Sequence, residues 1–352
     1  MARAIELARG PAHTSPNPRV GAVIVQDGSI VAEGAHHGAG TPHAEAIALD
    51  GIDATGATVY VNLEPCNHHG RMPPCAPALI DAGVGQVVVA IEDPDPRVAG
   101  SGLALLRDAG IDVQVGTLAE KARALNAPYL HHRRTGRPFV TVKLGLSIDG
   151  RLGAPDGSAR WITGPEARRR VHARRLEVDA VLVGAGTVLA DDPRLDARDV
   201  DADRQPTRIV LDTAGRISPS SRLFSVEGSV IVATTHRAPH EMQTSWKEGG
   251  AEVLLLPERA GQVDVGALLE ELGRRGFIEI YCEGGAELAT TLLRDDLVDR
   301  VEANYGPVVL GDGGPDLGSL GVTSMADAPR WKTVEVARLG DDVLVILERG
   351  ES

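Results

Sequence analysis

An α/β protein of two domains is what the sequence predicts, and three observations predict it. Short apolar runs of strand length alternate along the chain with longer helix-like segments, the pattern of layered α/β domains. The 352 residues exceed the ~100–200 of one ordinary domain. A polar, basic run near residue 130 interrupts the alternation. Composition allows two cores, with 43% of residues apolar and 24% charged. Aromatic residues are scarce (Phe 3, Trp 3, Tyr 4), so those cores must consist mainly of Val, Leu, Ile and Ala.

From the N-terminus, Ala2–Arg9 reads as a short helix. Val20–Val25 and Ile30–Ala35 are apolar runs joined by Gln26-Asp27-Gly28, a hairpin in which glycine supplies positive φ. His43–Leu49 is helix-like and Thr58–Asn62 a strand. Ala76–Ala82 is a helix stopped by Gly83, and Val87–Ile91 a strand. Gly102–Ala109 is a helix stopped by Gly110, and Ile111–Val115 a further strand.

Asn126 to Pro138 breaks the rhythm with His131-His132-Arg133-Arg134-Thr135-Gly136-Arg137-Pro138. It reads as a solvated linker rather than a binding patch, and it sets the boundary between domains of residues 1–135 and 136–352. Phe139–Ser147 opens the second domain as a strand, followed by an Asp149-Gly150 turn. Thr163-Gly164-Pro165-Glu166 has the form of a capping box, starting a helix that runs to about Glu177. Strands follow at Ala180–Val183, Arg208–Leu211, Val230–Ala233, Val253–Leu256 and Ile278–Cys282. Val265–Arg275 and Ala286–Arg294 look helical, and Val301–Tyr305 and Val343–Leu347 are late strands.

The charge balance excludes some functions. Lys and Arg number 36 against 49 Asp and Glu, a net charge of -13 that repels phosphate backbones and argues against a nucleic-acid partner. Three cysteines cannot form a disulfide framework, and the odd count suits a reducing cytosol. No apolar run reaches the ~18 residues of a membrane helix, and Met1 to Gly10 lacks the apolar stretch of a signal peptide. A soluble, cytoplasmic protein without a membrane partner is expected.

His43-Ala44-Glu45, Glu64-Pro65-Cys66 and Pro74-Cys75 carry the chemistry. One imidazole and two thiolates are a good zinc set, and three protein ligands leave a fourth tetrahedral position for water. Zinc makes hydroxide available near neutral pH. Glu45, two residues beyond His43, can shuttle protons without ligating, the logic of the zinc deaminases. Cys66 and Cys75 are separated by eight intervening residues instead of two, so the loop between them must return the second thiolate to the metal. A closed structural site would add His68 or His69. Glu45 favours the catalytic reading, because a structural site has no use for an acid beside its ligand.

Thr14-Ser15-Pro16-Asn17-Pro18-Arg19-Val20-Gly21, His43-Ala44-Glu45, Glu64-Pro65-Cys66-Asn67-His68-His69-Gly70-Arg71 and Pro73-Pro74-Cys75 together resemble the bifunctional riboflavin-biosynthesis deaminase/reductase family. The resemblance implies a cytidine-deaminase-like three-layer domain followed by a dihydrofolate-reductase-like domain. It implies one zinc per chain on His43, Cys66 and Cys75, with Glu45 catalytic and Asn17 binding the pyrimidine. Without the family, Asn17 reads as a turn residue between prolines. The substrate implied is a small phosphoribosyl diaminopyrimidinone, and a homo-oligomer, dimer or tetramer, is expected. The alternatives are a tRNA or cytidine deaminase with an unrelated C-terminal domain, and a noncatalytic zinc-stabilised binding protein; scarce aromatics speak against nucleic-acid substrates.

The resemblance continues through Lys143-Leu144-Gly145-Leu146-Ser147-Ile148-Asp149-Gly150-Arg151, Trp161-Ile162-Thr163, Gly186-Thr187-Val188-Leu189-Ala190-Asp191-Asp192-Pro193 and Glu283-Gly284-Gly285. It implies NADPH as cofactor, touched by Trp161, Thr187, Asp191, Thr213 and the stretch Gly285, Ala286, Glu287, Leu288, Ala289, Thr290 and Thr291. It implies substrate contacts from Arg175, Leu195, Arg198 and Glu283, with Lys143 catalytic. Relatives often carry Ser where this chain has Ala159. Read directly, Gly184-Ala185-Gly186 is not a Rossmann fingerprint, because Leu189 takes the third glycine's place. Gly284-Gly285 before a helix suits phosphate approach or a plain turn. The arginines at 168–170, 174 and 175 read as a solvated face, although a guanidinium fork also suits phosphate. Period-two alternation puts Lys143 with Thr141, Gly145 and Ser147, a face that is either solvated or catalytic. Cys282 reads as a buried, inert thiol.

Overall fold

The structure is a computed structural model that describes residues 1–70, 72–159 and 161–350. It forms two compact units, Met1–Gly136 and Arg137–Ser352.

The first unit runs α1 (Ala2–Arg9), β1 (Gly21–Gln26), β2 (Ser29–Ala35), α2 (Ala44–Leu49), β3 (Thr58–Val61), α3 (Cys75–Asp81), β4 (Gln86–Val89), α4 (Ser101–Asp108), β5 (Asp112–Val115), α5 (Ala119–Leu125) and α6 (Ala127–Thr135). Its sheet has the order β2-β1-β3-β4-β5. The β1–β2 hairpin and the β1–β3 pair are antiparallel, and β3, β4 and β5 are parallel. Asp27 and Gly28 both take positive φ, the Asp-Gly turn that matches strand twist. Ala22, Ile24, Val59, Val61, Val87 and Val89 bury one face of the sheet against Ala44 and Ala48 of α2, Ala76 and Leu79 of α3, and Leu103 and Leu106 of α4. The chain meets α2 almost backbone to backbone: a methyl group at Gly34 would sit 2.1 Å from the Ala44 carbonyl oxygen.

The second unit runs β6 (Phe139–Ser147), α7 (Pro165–Glu177), β7 (Ala180–Gly184), α8 (Ala185–Asp191), β8 (Thr207–Leu211), β9 (Val230–Thr234), α9 (His240–Glu248), β10 (Glu252–Leu255), β11 (Glu258–Arg259), β12 (Gln262–Val263), α10 (Val265–Arg274), β13 (Glu279–Cys282), α11 (Ala286–Arg294), β14 (Arg300–Gly306), β15 (Trp331–Leu339) and β16 (Asp342–Arg349). Nine strands pair in the order β10-β9-β8-β7-β13-β6-β14-β16-β15. All are parallel as far as β14, and β16 and β15 join antiparallel. One face packs Val140, Val142, Leu144, Ile280 and Cys282 against Leu268, Leu272, Leu288 and Leu292 of α10 and α11. The other face packs Val181, Val183, Val210 and Tyr281 with Val171 of α7 and Trp246 of α9. Among the described residues no helix is long and apolar enough to cross a membrane.

Two expectations are corrected here. The segment expected to be a solvated linker is helix α6, with Tyr129, Leu130 and His132 buried. The Tyr129 hydroxyl donates to both carboxylate oxygens of Asp93 (3.0 and 3.2 Å), Arg133 lies over the Tyr129 ring, and Gly136 ends the helix at φ 75. The basic residues that suggested solvent surround this anchoring side. The capping box is also absent. Helix α7 is capped at Gly164, whose N–H donates to Asp342 Oδ2 at 2.6 Å, while Thr163 accepts an Arg168 N–H through its carbonyl. A carboxylate 178 residues away in the chain does the work expected of Thr163 and Glu166. Helices α5, α8 and α9 and the edge strand β15 were not anticipated.

Gly34→Ala is expected to cost about 1–3 kcal/mol, because the crowded α2 backbone must move. Urea unfolding of the variant, followed by far-UV circular dichroism, measures this; an unchanged first transition would show that α2 tolerates the shift.

Candidate functional site

In the first unit, His43 is the N-cap of α2, Cys75 opens α3, and Cys66 follows the end of β3. Their ligating atoms lie within 4.8 Å of one another. His43 Nδ1 is 3.1 Å from Cys75 Sγ and 3.5 Å from Cys66 Sγ. Bond lengths to zinc of about 2.0 Å for nitrogen and 2.3 Å for sulfur give a tetrahedral edge of about 3.6 Å, so this donor set fits zinc in both chemistry and spacing. The Cys75 N–H donates to Cys66 Sγ at 3.4 Å. The Cys75 thiol and His43 hold Cys66 far below an ordinary thiol, at about 4. Among the described residues the metal-competent group is His43, Cys66 and Cys75, without His68 or His69. Arg71 of the same loop lies outside the described residues.

Glu45 sits in the first turn of α2 with 4% exposure. Burial pushes its carboxyl up to about 7, the range in which one group both takes and gives a proton at neutral pH.

Residues outside the predicted set hold the centre in place. Glu64 is buried one residue before Pro65-Cys66, and its carboxylate accepts N–H groups of Asp93 (3.2 Å), Gly100 (3.0 Å), Gly102 (3.0 Å) and Leu103 (3.3 Å). The backbone of Arg19 is gripped by two amides. Asn126 Oδ1 accepts its N–H at 2.8 Å, and Asn62 and Asn126 both donate to its carbonyl. That grip fixes the segment bearing Asn17, whose Nδ2 lies 2.9 Å from His36 Nε2. Asn17 also occupies a turn closed by its N–H to the Thr14 carbonyl, as the local reading between two prolines expects. The sequence reading missed Glu64 as an anchor, and it missed His36 and Asn62. A polar residue inside an apolar run, as Asn62 is, was the available signal.

In the second unit, Lys143 lies on β6 with Glu302 of β14 opposite it in register. Glu283 follows β13 on the other side. The solvated alternative for this face is corrected: Thr141 and Ser147 are buried on it, and Lys143 and Gly145 are half-buried. Burial pushes the Lys143 ammonium below the ordinary lysine value, against the pull of Glu283 and Glu302. The solvated reading of the arginine run is corrected for Arg174 and Arg175, while Arg169 is exposed. Arg175 is buried and forks onto Glu283 at 2.6 and 2.8 Å. Arg174 is buried between Glu279 (2.6 Å), Glu302 (3.1 Å) and Glu177 (2.5 Å). A helix packed on a sheet needs partners for charges on the packed face, and the strands supply them.

Arg175 also donates to the Asp196 carbonyl at 2.6 Å, and Arg198 to Asp196 Oδ1 at 2.7 Å. Leu195, buried at φ 56, belongs to the same turn. Lys143, Glu283, Arg175, Leu195 and Arg198 thus form one connected group. Among the expected cofactor residues, two separate links are present. Gly285 caps α11 and donates its N–H to Thr187 Oγ1 at 3.1 Å. Thr213 donates to Gln262 Oε1, and Gln262 Nε2 donates to Glu287. The side chains of Leu288 and Ala289 pack in the core, and Thr290 donates to the Ala286 carbonyl, so Ala286 to Thr291 offers a ligand mainly backbone. Trp161 is 66% exposed beneath the Arg168 guanidinium, and Asp191 ends α8. Cys282 is buried, its thiol pushed up to about 12 by desolvation.

Residues 138–345 match the family model of the RibD C-terminal domain, and residues 1–91 that of the cytidine and deoxycytidylate deaminase zinc-binding region. The riboflavin biosynthesis protein RibD of Escherichia coli is 44% identical over 99% of this chain and 98% of its own. That of Aquifex aeolicus is 38% identical over 99% and 97%. Among solved structures, Acinetobacter baumannii RibD is similar with a TM-score of 0.89 at 37% identity, covering 99% of this chain and 98% of its own. The diaminohydroxyphosphoribosylaminopyrimidine deaminase/5-amino-6-(5-phosphoribosylamino)uracil reductase of Thermotoga maritima follows at 0.86 and 35%, covering 99% and 97%.

Arg174→Ala strands Glu279 and Glu302 without their shared partner. Breaking a buried ion pair from one side costs about 3–5 kcal/mol. Urea unfolding read at the second unit's Trp246 is expected to show that loss, and a midpoint within error of the parent would contradict it.

Proposed function

The chain belongs to the family of bifunctional riboflavin-biosynthesis deaminase/reductases, and on that premise we propose how its own residues divide the two reactions. The first unit deaminates 2,5-diamino-6-(5-phosphoribosylamino)pyrimidin-4-one. The second reduces the ribosyl group of the product with NADPH, giving 5-amino-6-(5-phosphoribitylamino)uracil. The observation that carries this reading is the buried Glu45 beside the convergent His43, Cys66 and Cys75.

His43, Cys66 and Cys75 would hold one zinc, which supplies the Lewis acidity that makes hydroxide available near neutral pH. Glu45 takes the proton of the attacking water on its carboxylate. It returns that proton to the ring nitrogen and helps the 2-amino group leave as ammonia. Burial suits Glu45 to hold the proton between the two transfers. Asn17 orients the pyrimidine. In the second unit, NADPH supplies the hydride. Lys143 places its ammonium where the ring oxygen of the ribose gains negative charge as its bond to C1′ breaks and hydride arrives at that carbon, the kind of electrostatic help that often dominates catalysis. Arg175, Arg198 and Glu283 hold the substrate around it.

Product analysis with the diaminopyrimidinone, with and without NADPH, tests the whole reading. Ammonia release without NADPH, and the ribityl product only with it, are expected. Metal analysis should give one zinc per chain in the parent and in Glu45→Gln, His68→Ala and His69→Ala. Of these, Glu45→Gln alone should lose ammonia release, by ~10²–10⁴-fold. Zinc loss in either histidine variant would point to a structural site. Lys143→Ala, given the deaminated intermediate, should lose NADPH oxidation by ~10²-fold or more while ammonia release is unchanged. A rate close to that of the parent would make Lys143 a bystander.

A further inference from the structure

We propose that His36 is a positioning residue that fixes which atom of Asn17 faces the bound substrate, so that the deaminase site reads an N–H donor on the edge of its ring ligand at Asn17 Oδ1. The inference deepens the proposed function and rests on its reading of Asn17 as a substrate contact.

Four hydrogen bonds fix the His36 tautomer. His36 Nδ1 is 3.0 Å from the Pro42 carbonyl, a group that can only accept, so Nδ1 carries a proton. Thr41 Oγ1 donates its single proton to the Gly38 carbonyl at 2.8 Å, so its longer 3.5 Å contact with Nδ1 is also that of an acceptor. A neutral imidazole protonated at Nδ1 has a lone pair on Nε2. Asn17 meets that lone pair at 2.9 Å, which only its Nδ2–H can do.

The opposite amide orientation would require N–H on both ring nitrogens. The ring is 2% exposed, no carboxylate hydrogen-bonds to it among the described residues, and a buried imidazolium without a counter-charge is costly. Asn17 Oδ1 is therefore left facing away from His36, with no partner among the described residues. The backbone gives the amide little room to turn: the Asn17 N–H donates to the Thr14 carbonyl, Thr14 Oγ1 donates to the Asn17 carbonyl, and Arg19 is gripped two residues on.

His36 thereby ties two parts of the site together. Its Nδ1–H holds the carbonyl of the residue before His43, and its ring lies edge-on to the His43 ring at 5.4 Å between centroids. The group that orients the substrate-reading amide also braces the strand-to-helix turn bearing the first metal ligand. An oxygen acceptor at Asn17 selects a ring edge that presents N–H, as an amino-substituted pyrimidinone does, and disfavours an edge that presents only lone pairs.

Two measurements test this. A long-range ¹H–¹⁵N correlation spectrum of the zinc-loaded protein at pH 8, with His36 assigned by its loss in His36→Gln, is expected to show the Nδ1–H tautomer. An Nε2–H tautomer or an imidazolium would overturn the proposal. Steady-state ammonia release is the second measurement. His36→Leu removes the acceptor, so KM should rise about tenfold, the equivalent of one lost hydrogen bond to a fixed partner, with rates taken per zinc-loaded site because the Pro42 carbonyl also loses its donor. His36→Gln returns an acceptor oxygen to Asn17 and should recover most of the KM. An unchanged KM in His36→Leu, a His36→Gln as impaired as His36→Leu, or zinc loss in His36→Gln would each reject the role. If the parent itself released no ammonia, the proposed substrate would fall, while the tautomer would still decide whether His36 sets the amide.

Discussion

A charge removed from water must find its counterpart inside the protein, and in both units the functional side chains stand where that requirement put them. Glu64 shows it in the first unit. Its carboxylate is buried and accepts four backbone N–H groups, those of Asp93, Gly100, Gly102 and Leu103. Bonds of this charge-assisted kind contribute roughly 1.5–3 kcal/mol each. They tie the residue just before Pro65-Cys66 to the start of α4 and to the loop after β4. The approach is close enough that a side chain at Gly102 would collide with the Pro65 carbonyl, 1.9 Å from its first carbon. Cys66 is thus presented to the metal by a rigid frame, although the residues after it form a long loop. The same loop after β4 reaches α6 through Asp93 and Tyr129, which is why a stretch rich in Arg and His is folded there.

Legibility in the sequence followed how local each determinant is. The metal residues were readable because soft donors with an acid beside them have few other uses, whatever the loop between them. The strands of both sheets were readable because buried parallel strands are continuous apolar runs. Where a segment buries little, the signal fades. Helix α9 buries only Trp246, and β15 is exposed along nearly its whole length at the edge of the sheet, so neither shows a period. The ion pairs beneath α7 were illegible for a different reason. Arg174 meets its carboxylates across 105 and 128 residues of chain, and no local pattern announces such a partner. The capping of α7 by Asp342 is a further case: a plausible local motif lost to a stronger distant acceptor.

The role proposed for Lys143 rests on the same charge accounting. Glu283, Lys143 and Glu302 stand in a row across three neighbouring parallel strands. Two consecutive arginines of α7 take the flanking carboxylates, Arg175 forking onto Glu283 and Arg174 donating to Glu302 through Nε alone. Guanidinium groups stay charged and match carboxylate geometry, which an ammonium does not. Lys143 therefore makes no ion pair among the described residues, although two carboxylates bear on it. Their combined negative charge opposes the burial that would strip its proton, and the arginines keep them from collapsing onto it. The result is a lysine drawn toward its neutral form chiefly by burial and toward its charged form by two carboxylates, with no ion pair to occupy its side chain among the described residues. Exchanging the arginines for lysines would loosen the forks and let three ammonium groups compete for the same oxygens. The stability of the layer and the unpaired Lys143 side chain are consequences of one arrangement, in which the arginines satisfy the carboxylates of the sheet, and the role proposed for Lys143 rests on that arrangement.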